Sequence, residues 1–340
     1  MNYKNFLDLK LSEIGVGTYL GSPDENTNKN YEETIKKAVK LGINVIDTAI
    51  NYRDMESERV IGRVLQQIDR KNLIISTKGG YFPKDNRLKV ENITQYLKEN
   101  LIDKGIVNKE DITPYGNILT PKFIDWSLEK SLENLNTDYI DIYFLHNPED
   151  QLQIVDKQTF YKKLWTVFRL LEGKVNQGKL RYYGLATWNG FRVNPDHIQH
   201  LNLFEIFDIA KEVGGENHHF RFIQLPYNLA MTESYTLKNQ YYNGKLYSTL
   251  EATQILGIYT YISAPLFQGR IVRRFDENAK KLFKVEKDVH IPIQFVRSTP
   301  GVGTVLIGMS KVNHLLENIE IEKYPKLEKE EIDFIFSSSR

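Results

Sequence analysis

Three consecutive segments decide the fold: Tyr139-Ile-Asp-Ile-Tyr-Phe-Leu-His146, then Thr159–Gln177, then Tyr182-Tyr-Gly-Leu-Ala-Thr187. The first and last are short apolar runs, and the one between them has helical periodicity. Strand, helix, strand in that order reads as a parallel unit, because a parallel neighbour is reached only through a long crossover. Outward from this unit the alternation continues. Strands are predicted near Gly15–Thr18, Asn44–Thr48 and Leu73–Lys78 on one side, and near Phe222–Tyr227, Tyr259–Ala264 and Thr304–Gly308 on the other. Helices are predicted over Tyr31–Leu41, Glu58–Gln67, Thr120–Leu135 and Phe204–Val213, with Gly42 and Gly178 as stop signals. Eight such repeats predict an α/β fold: one (β/α)8 TIM barrel, spanning 1–340 as a single domain.

Two segments break the alternation. Residues from Gly79 to Ile118 form an insertion after the third strand, and residues from Asn194 to Phe220 extend the connection between the fifth and sixth. Connections this long are usually functional or disordered. The first insertion follows Lys78 directly and is expected to wall or cover a pocket, with Tyr81, Phe82, Tyr96 and Tyr115 as either lining residues or loop anchors.

Composition removes several function classes. Lysine and arginine number 45 against 44 acidic residues, so the basic excess of a nucleic-acid or membrane-surface protein is missing. There is no cysteine, which excludes disulfides, thiolate metal sites and a cysteine nucleophile. Lys4, Asp8, Lys10 and Glu13 interrupt any apolar leader, and no run approaches the ~18 apolar residues of a membrane span. A cytoplasmic setting is expected. His197 and His200 are spaced i,i+3, and His218-His219 has no fixed carboxylate partner, so these histidines are expected at the surface or an interface and no metal is assigned. Gly15, Gly17 and Gly21 miss the GxGxxG spacing by one residue, which argues against a Rossmann turn and for glycines ending a first barrel strand.

Barrel enzymes carry their chemistry at the C-terminal ends of the strands. The second predicted strand ends in Asp47, with Tyr52 five residues on; the third runs into Lys78 and the fourth into His146. Each residue alone is a weak signal: a helix cap, a solvated amine, a structural imidazole. On three adjacent strands they make an acid–base device. Lys78 is expected to lower the Tyr52 phenol pKa, Asp47 to hold Lys78, Tyr52 to protonate a developing alkoxide and His146 to orient a carbonyl oxygen. Such a device needs a hydride from a cofactor.

These segments resemble the aldo-keto reductase family. Gly-Val-Gly-Thr-Tyr at 15–19, Asn-Val-Ile-Asp-Thr-Ala at 44–49 with Tyr52, Ser76-Thr77-Lys78 and Leu145-His146-Asn147-Pro148 match its signatures in order, and the likeness runs from about Leu9 to Asn318. It implies NAD(P)H-linked reduction of an aldehyde or ketone, by the tetrad Asp47, Tyr52, Lys78 and His146, with a small-molecule carbonyl substrate. For the cofactor it implies Thr18, Tyr19 and Asp47 near the bridge, Thr187 and Gln224 at the nicotinamide amide, Leu266 and Gly269 in the loop after the seventh strand, and Ser310, Lys311, His314 and Asn318 at the adenosine end. The chain departs from the pattern in three places. Ala186 and Thr187 stand where the family has a Ser-Asn pair, and only Thr187 can bond an amide. Ser263 replaces the usual aromatic stacker, with Tyr227 or Trp188 as compensating candidates. His314 stands where an Arg commonly grips a 2′-phosphate, so NADP(H) is expected with NAD(H) as the alternative. Arg270, Arg273 and Arg274 are either phosphate ligands or a solvated charge run.

Two other functions fit parts of the sequence. A lyase would use Lys78 as a Schiff-base nucleophile, leaving Thr18, Gln224 and Asn318 without purpose. A nucleotide-sensing regulatory subunit would keep the cofactor site and lose turnover, for which an intact tetrad has no use. Oligomeric state is not legible.

Overall fold

The computed structural model describes residues 1–88 and 90–337. The chain opens with an antiparallel hairpin, β1 (Tyr3–Phe6) and β2 (Leu9–Ser12), and then enters the barrel. The barrel strands are β3 (Ile14–Gly17), β4 (Val45–Asp47), β5 (Ile74–Gly79), β6 (Ile140–His146), β7 (Leu180–Ala186) and β8 (Phe220–Pro226). A small hairpin follows, β9 (Gln240–Tyr242) and β10 (Lys245–Tyr247), before β11 (Tyr259–Ser263) and β12 (Thr304–Gly308) complete the ring. The eight barrel strands are parallel, and β12 pairs with β3 to close them, as predicted.

Strands buried on both faces must be apolar on both, and these divide their side chains between two cores. Val45, Ile74, Ile142, Phe144, Phe222, Tyr261 and Leu306 fill the barrel, while the larger outer core joins the strands to the helices. The first hairpin plugs the barrel floor: the Phe6 ring lies 5.4 Å from Phe222 and 5.2 Å from Tyr259. Sequence reasoning missed this hairpin. Its turn contains no glycine or asparagine, and Leu7 itself takes φ +53°.

The predicted helices are present with shifted ends. The first begins at Glu25, six residues before the first apolar repeat, because Asp24 accepts the Thr27 amide as an N-cap. The insertion is no hinged flap. Leu101, Val107, Ile118 and Leu119 are buried in the outer core, and the Tyr81↔Asn117 bridge ties its two ends together. The region between β7 and β8 is irregular to Asn202 and helical over Leu203–Gly214. Two of its histidines are buried, contrary to expectation. His200 Nε2 lies 2.8 Å from the Asn239 carbonyl, and His218 packs edge-on against Phe207 beside Arg221. Both satisfy structural contacts. Among the described residues no helix is long and apolar enough to cross a membrane.

Candidate active site

Parallel pairing sets Asp47 opposite Ser76 and Lys78 opposite Phe144, so Asp47, Lys78 and His146 step along one rim at the carboxyl ends of β4, β5 and β6. Lys78 is fully buried, and its ammonium donates to Asp47 Oδ2 at 2.7 Å and to the Thr48 carbonyl at 2.6 Å. Ser76 Oγ and Gln224 Nε2 donate to the other carboxylate oxygen at 2.7 and 2.9 Å. The carboxylate is therefore satisfied on both sides, as a buried charge must be.

Tyr52 reaches this pair from a tight turn after β4, held by its amide bond to the Ala49 carbonyl at 3.0 Å. Arg53, Asp54 and Met55 follow it, all at positive φ between 51° and 71°. Three such non-glycine residues cost on the order of 1–2 kcal/mol each, so the turn persists only because its surroundings hold it. Arg53 bonds the Ser22 carbonyl at 3.0 Å and also Asn28, and the Asn86 amide holds the Asp54 carbonyl at 3.1 Å. The Lys78 ammonium lies 4.8 Å from the Tyr52 ring centre, and the Tyr52 and His146 rings meet edge to face at 5.9 Å.

The electrostatics refine the sequence reading. Burial pushes the Tyr52 phenol above its ordinary value; Lys78 pulls it down as expected but is outweighed. Burial pulls Lys78 down, but Asp47 and Tyr52 together more than offset it, so the ammonium ends above its ordinary value. Burial, with the nearby Lys78 charge, drops His146 to about 3. At neutral pH the site thus holds a protonated phenol, an ammonium and a neutral imidazole.

Above this floor opens a cleft of about 730 Å³. Of the residues singled out from sequence, Thr18, Tyr19, Asp47, Tyr52, His146, Thr187, Gln224, Leu266, Gly269, His314 and Asn318 line it. Lys78 lies beneath its floor; Ser310 and Lys311 are not among the lining residues. Tyr227 is no stacking candidate: it is fully buried against Phe295, ring centres 5.3 Å apart. Trp188 does border the cleft. Arg270, Arg273 and Arg274 are exposed and outside the lining, the first two over Phe267 and Phe275. Of the four aromatic candidates in the insertion only Tyr81 reaches the cleft, since Phe82 packs on Tyr96 and Tyr115 is 72% exposed.

Sequence reasoning missed Asn51 and Gln268, which also line the cleft, as do Asn147 and Glu317 from the segments matched in sequence. Asn51, one residue before Tyr52, was the most accessible to inspection. Three buried polar atoms on the lining have no partner: Asn51 Oδ1, His146 Nδ1 and Thr187 Oγ1. Buried polar groups are normally satisfied, so these three await a polar ligand. The Thr187 hydroxyl and the Gln224 amide at one end, and His314 and Asn318 at the other, suit the amide and adenosine ends of an extended dinucleotide.

A sequence profile of the aldo/keto reductase family matches residues 13–339. The chain belongs to that family and is an NAD(P)H-dependent oxidoreductase. It is 26% identical over 345 residues to an uncharacterised oxidoreductase of Bacillus subtilis, covering 98% of this chain and 94% of the relative. An NADH-specific methylglyoxal reductase of Escherichia coli is 30% identical over 209 residues, 60% of this chain and 55% of the relative. The fold is shared with an aldo/keto reductase from Klebsiella pneumoniae crystallised with NADP and acetate, at TM-score 0.63 and 20% identity over 95% of this chain and 90% of the other.

Proposed function

We propose that this protein reduces an aldehyde or ketone to an alcohol, with Tyr52 as the proton donor. The observation that carries this reading is the buried Asp47–Lys78 pair, 2.7 Å apart, set beneath the Tyr52 ring at the floor of the cleft. Bound NAD(P)H supplies the hydride for the carbonyl carbon. The chain's own residues handle the oxygen. His146, neutral, donates a hydrogen bond that aims the carbonyl at Tyr52. The phenol gives its proton to the oxygen as negative charge develops there. Lys78 stabilises the tyrosinate left behind, and Asp47 keeps Lys78 charged and in place. Burial holds the phenol protonated in the resting site, and the pull of Lys78 works against that rise as the proton leaves. The direct test is NADPH oxidation over a panel of aldehydes, ketones and sugar carbonyls. Turnover of none of them by folded, cofactor-binding protein would overturn the reading.

For substrate choice the wall residue is Tyr81. It follows Gly80, whose φ of +152° and tight seat on the His146 carbonyl (an added Cβ would sit 2.6 Å from that oxygen) admit no side chain. The Tyr81 ring meets His146 edge to face at 5.1 Å, and its hydroxyl is latched by Asp150 at 2.5 Å and by Asn147 at 3.1 Å. Because the insertion contributes to the core, shortening it should unfold the protein rather than test a lid. Tyr81→Ala is the cleaner change. It should alter the ranking of carbonyl substrates and raise KM for the best one by about tenfold, with NADPH affinity within a few-fold. An unchanged ranking would leave the pocket to be shaped by the residues after Trp188.

At the adenosine end His314 offers a softer phosphate partner than an Arg would, and Glu317 brings an acidic group to the same end of the cleft. NADPH should therefore be preferred over NADH by a modest margin. His314→Arg should widen that margin and His314→Glu narrow or reverse it. Equal ratios of dissociation constants in all three proteins would show that this residue does not read the 2′-phosphate.

A further inference from the structure

We propose that Glu149 is a positioning residue: its carboxylate grips the turn that follows β7 and so sets how tightly the nicotinamide end of the cleft holds its ligand. This rests on the cofactor reading above. Glu149 is 1% exposed, three residues beyond His146. One of its oxygens, Oε1, accepts the consecutive backbone amides of Trp188, Asn189 and Gly190 at 2.8, 2.9 and 3.2 Å. Three successive N–H groups converging on one oxygen form a built anion cradle, here occupied by the chain's own carboxylate. The second oxygen, Oε2, is buried without a partner, and no salt bridge reaches the side chain among the described residues.

The turn it holds borders the cleft. Thr187, with its unpartnered buried hydroxyl, and Trp188, 39% exposed, both line it. The turn is also held by the Thr187 amide to the Gln224 carbonyl at 2.9 Å, the Leu201 amide to the Gly190 carbonyl at 2.8 Å, Arg192 Nε to the Trp188 carbonyl at 2.7 Å and Asn189 Nδ2 to Gln199 at 2.8 Å. Glu149 thus joins the loop of His146 to the loop of Thr187, alongside the Asn147 amide, which donates to the Ala186 carbonyl at 2.6 Å.

The grip responds to pH. Burial pushes the Glu149 carboxyl up to about 7, with the three amides pulling the other way. The titratable groups facing it are Tyr81, which the insertion brings in and whose phenol feels the Glu149 charge, and the neighbouring Asp150, engaged by Tyr81 and Gln199. None is a cation. Around neutrality the side chain therefore passes between a carboxylate and a neutral acid, and hydrogen bonds to the charged form are roughly twice as strong. The turn is held more firmly above about pH 7 than below it.

The test uses full-length Glu149→Leu and Glu149→Gln, with NADPH as the ligand. Amide exchange at residues 188–190 should quicken at least about tenfold in Glu149→Leu, and the NADPH dissociation constant should rise by a similar factor, with kcat at saturation within about threefold. Glu149→Gln keeps an acceptor for the amides but cannot ionise. Its NADPH affinity should be flat between about pH 6 and 8, while that of the wild type weakens about threefold on acidification. Protected amides with unchanged affinity in Glu149→Leu would overturn the proposal. So would a wild-type pH dependence in Glu149→Gln, which decides the matter if the Leu variant does not fold. Exchange and binding are read without turnover, so a wild type that binds NADPH and reduces no carbonyl would defeat the catalytic reading alone.

Discussion

Tyr52→Phe is expected to lower kcat by at least about 10²-fold, the usual scale for removing a general acid. NADPH affinity should stay within a few-fold, because the phenol is at the carbonyl and far from the adenosine end. The fold should be unaffected, since the ring contacts with Tyr19 and His146 do not need the hydroxyl. Single-turnover mixing with excess enzyme would separate the proton-transfer defect from product release. A Phe variant with wild-type turnover would dismantle the tetrad assignment.

The second large effect is expected from Lys78→Met, in both stability and activity. Lys78 is fully buried, and its partner Asp47 is 4% exposed. Removing the ammonium leaves a carboxylate in the floor with only Ser76 and Gln224 to satisfy it. Breaking a buried pair in this way costs roughly 3–5 kcal/mol. Turnover should fall by about 10² or more, because the tyrosinate formed on proton transfer loses its counter-charge. Pairing the change with Asp47→Asn removes the stranded charge and should recover most of the stability without recovering activity. Urea unfolding and NADPH oxidation on the two single variants and the double variant give the full cycle. A Lys78→Met protein as stable as the wild type would overturn the expected stability cost.

The tetrad was legible because strand ends are legible. Apolar runs such as Leu73–Lys78 and Tyr139–His146 have a clear beginning and end, and their polar terminal residues stand out against them. Once the strands are known to be parallel and adjacent, Lys78 and His146 must share a rim, and Asp47 joins them from β4. Tyr52 lies outside any strand, and its spacing from Asp47 stood out through the resemblance to the aldo-keto reductases. The pKa direction of Tyr52 could not be read, since it depends on how much water the finished cleft excludes.

Residues outside the strands show the opposite case. Tyr81, Phe82, Tyr96 and Tyr115 look alike in an insertion with no periodicity, and only the packed structure sends Tyr81 to the cleft and Tyr115 to solvent. Tyr227 looked like a stacking partner at a strand end, yet one residue past Pro226 its ring turns onto Phe295. Glu149 had no signal at all. It sits in an ordinary polar stretch, Asn147-Pro148-Glu149-Asp150, and its meaning lies in three backbone amides about forty residues away.

The sequence by itself determined the eight-strand barrel and the order of its units. These follow from short-range periodicity, which each segment carries within itself. Only the tertiary structure decided that the N-terminal hairpin plugs the floor, which loop residues line the cleft, and that burial rather than Lys78 governs the Tyr52 phenol. Those outcomes depend on contacts between residues far apart in the chain and on the exclusion of water, which no local pattern encodes.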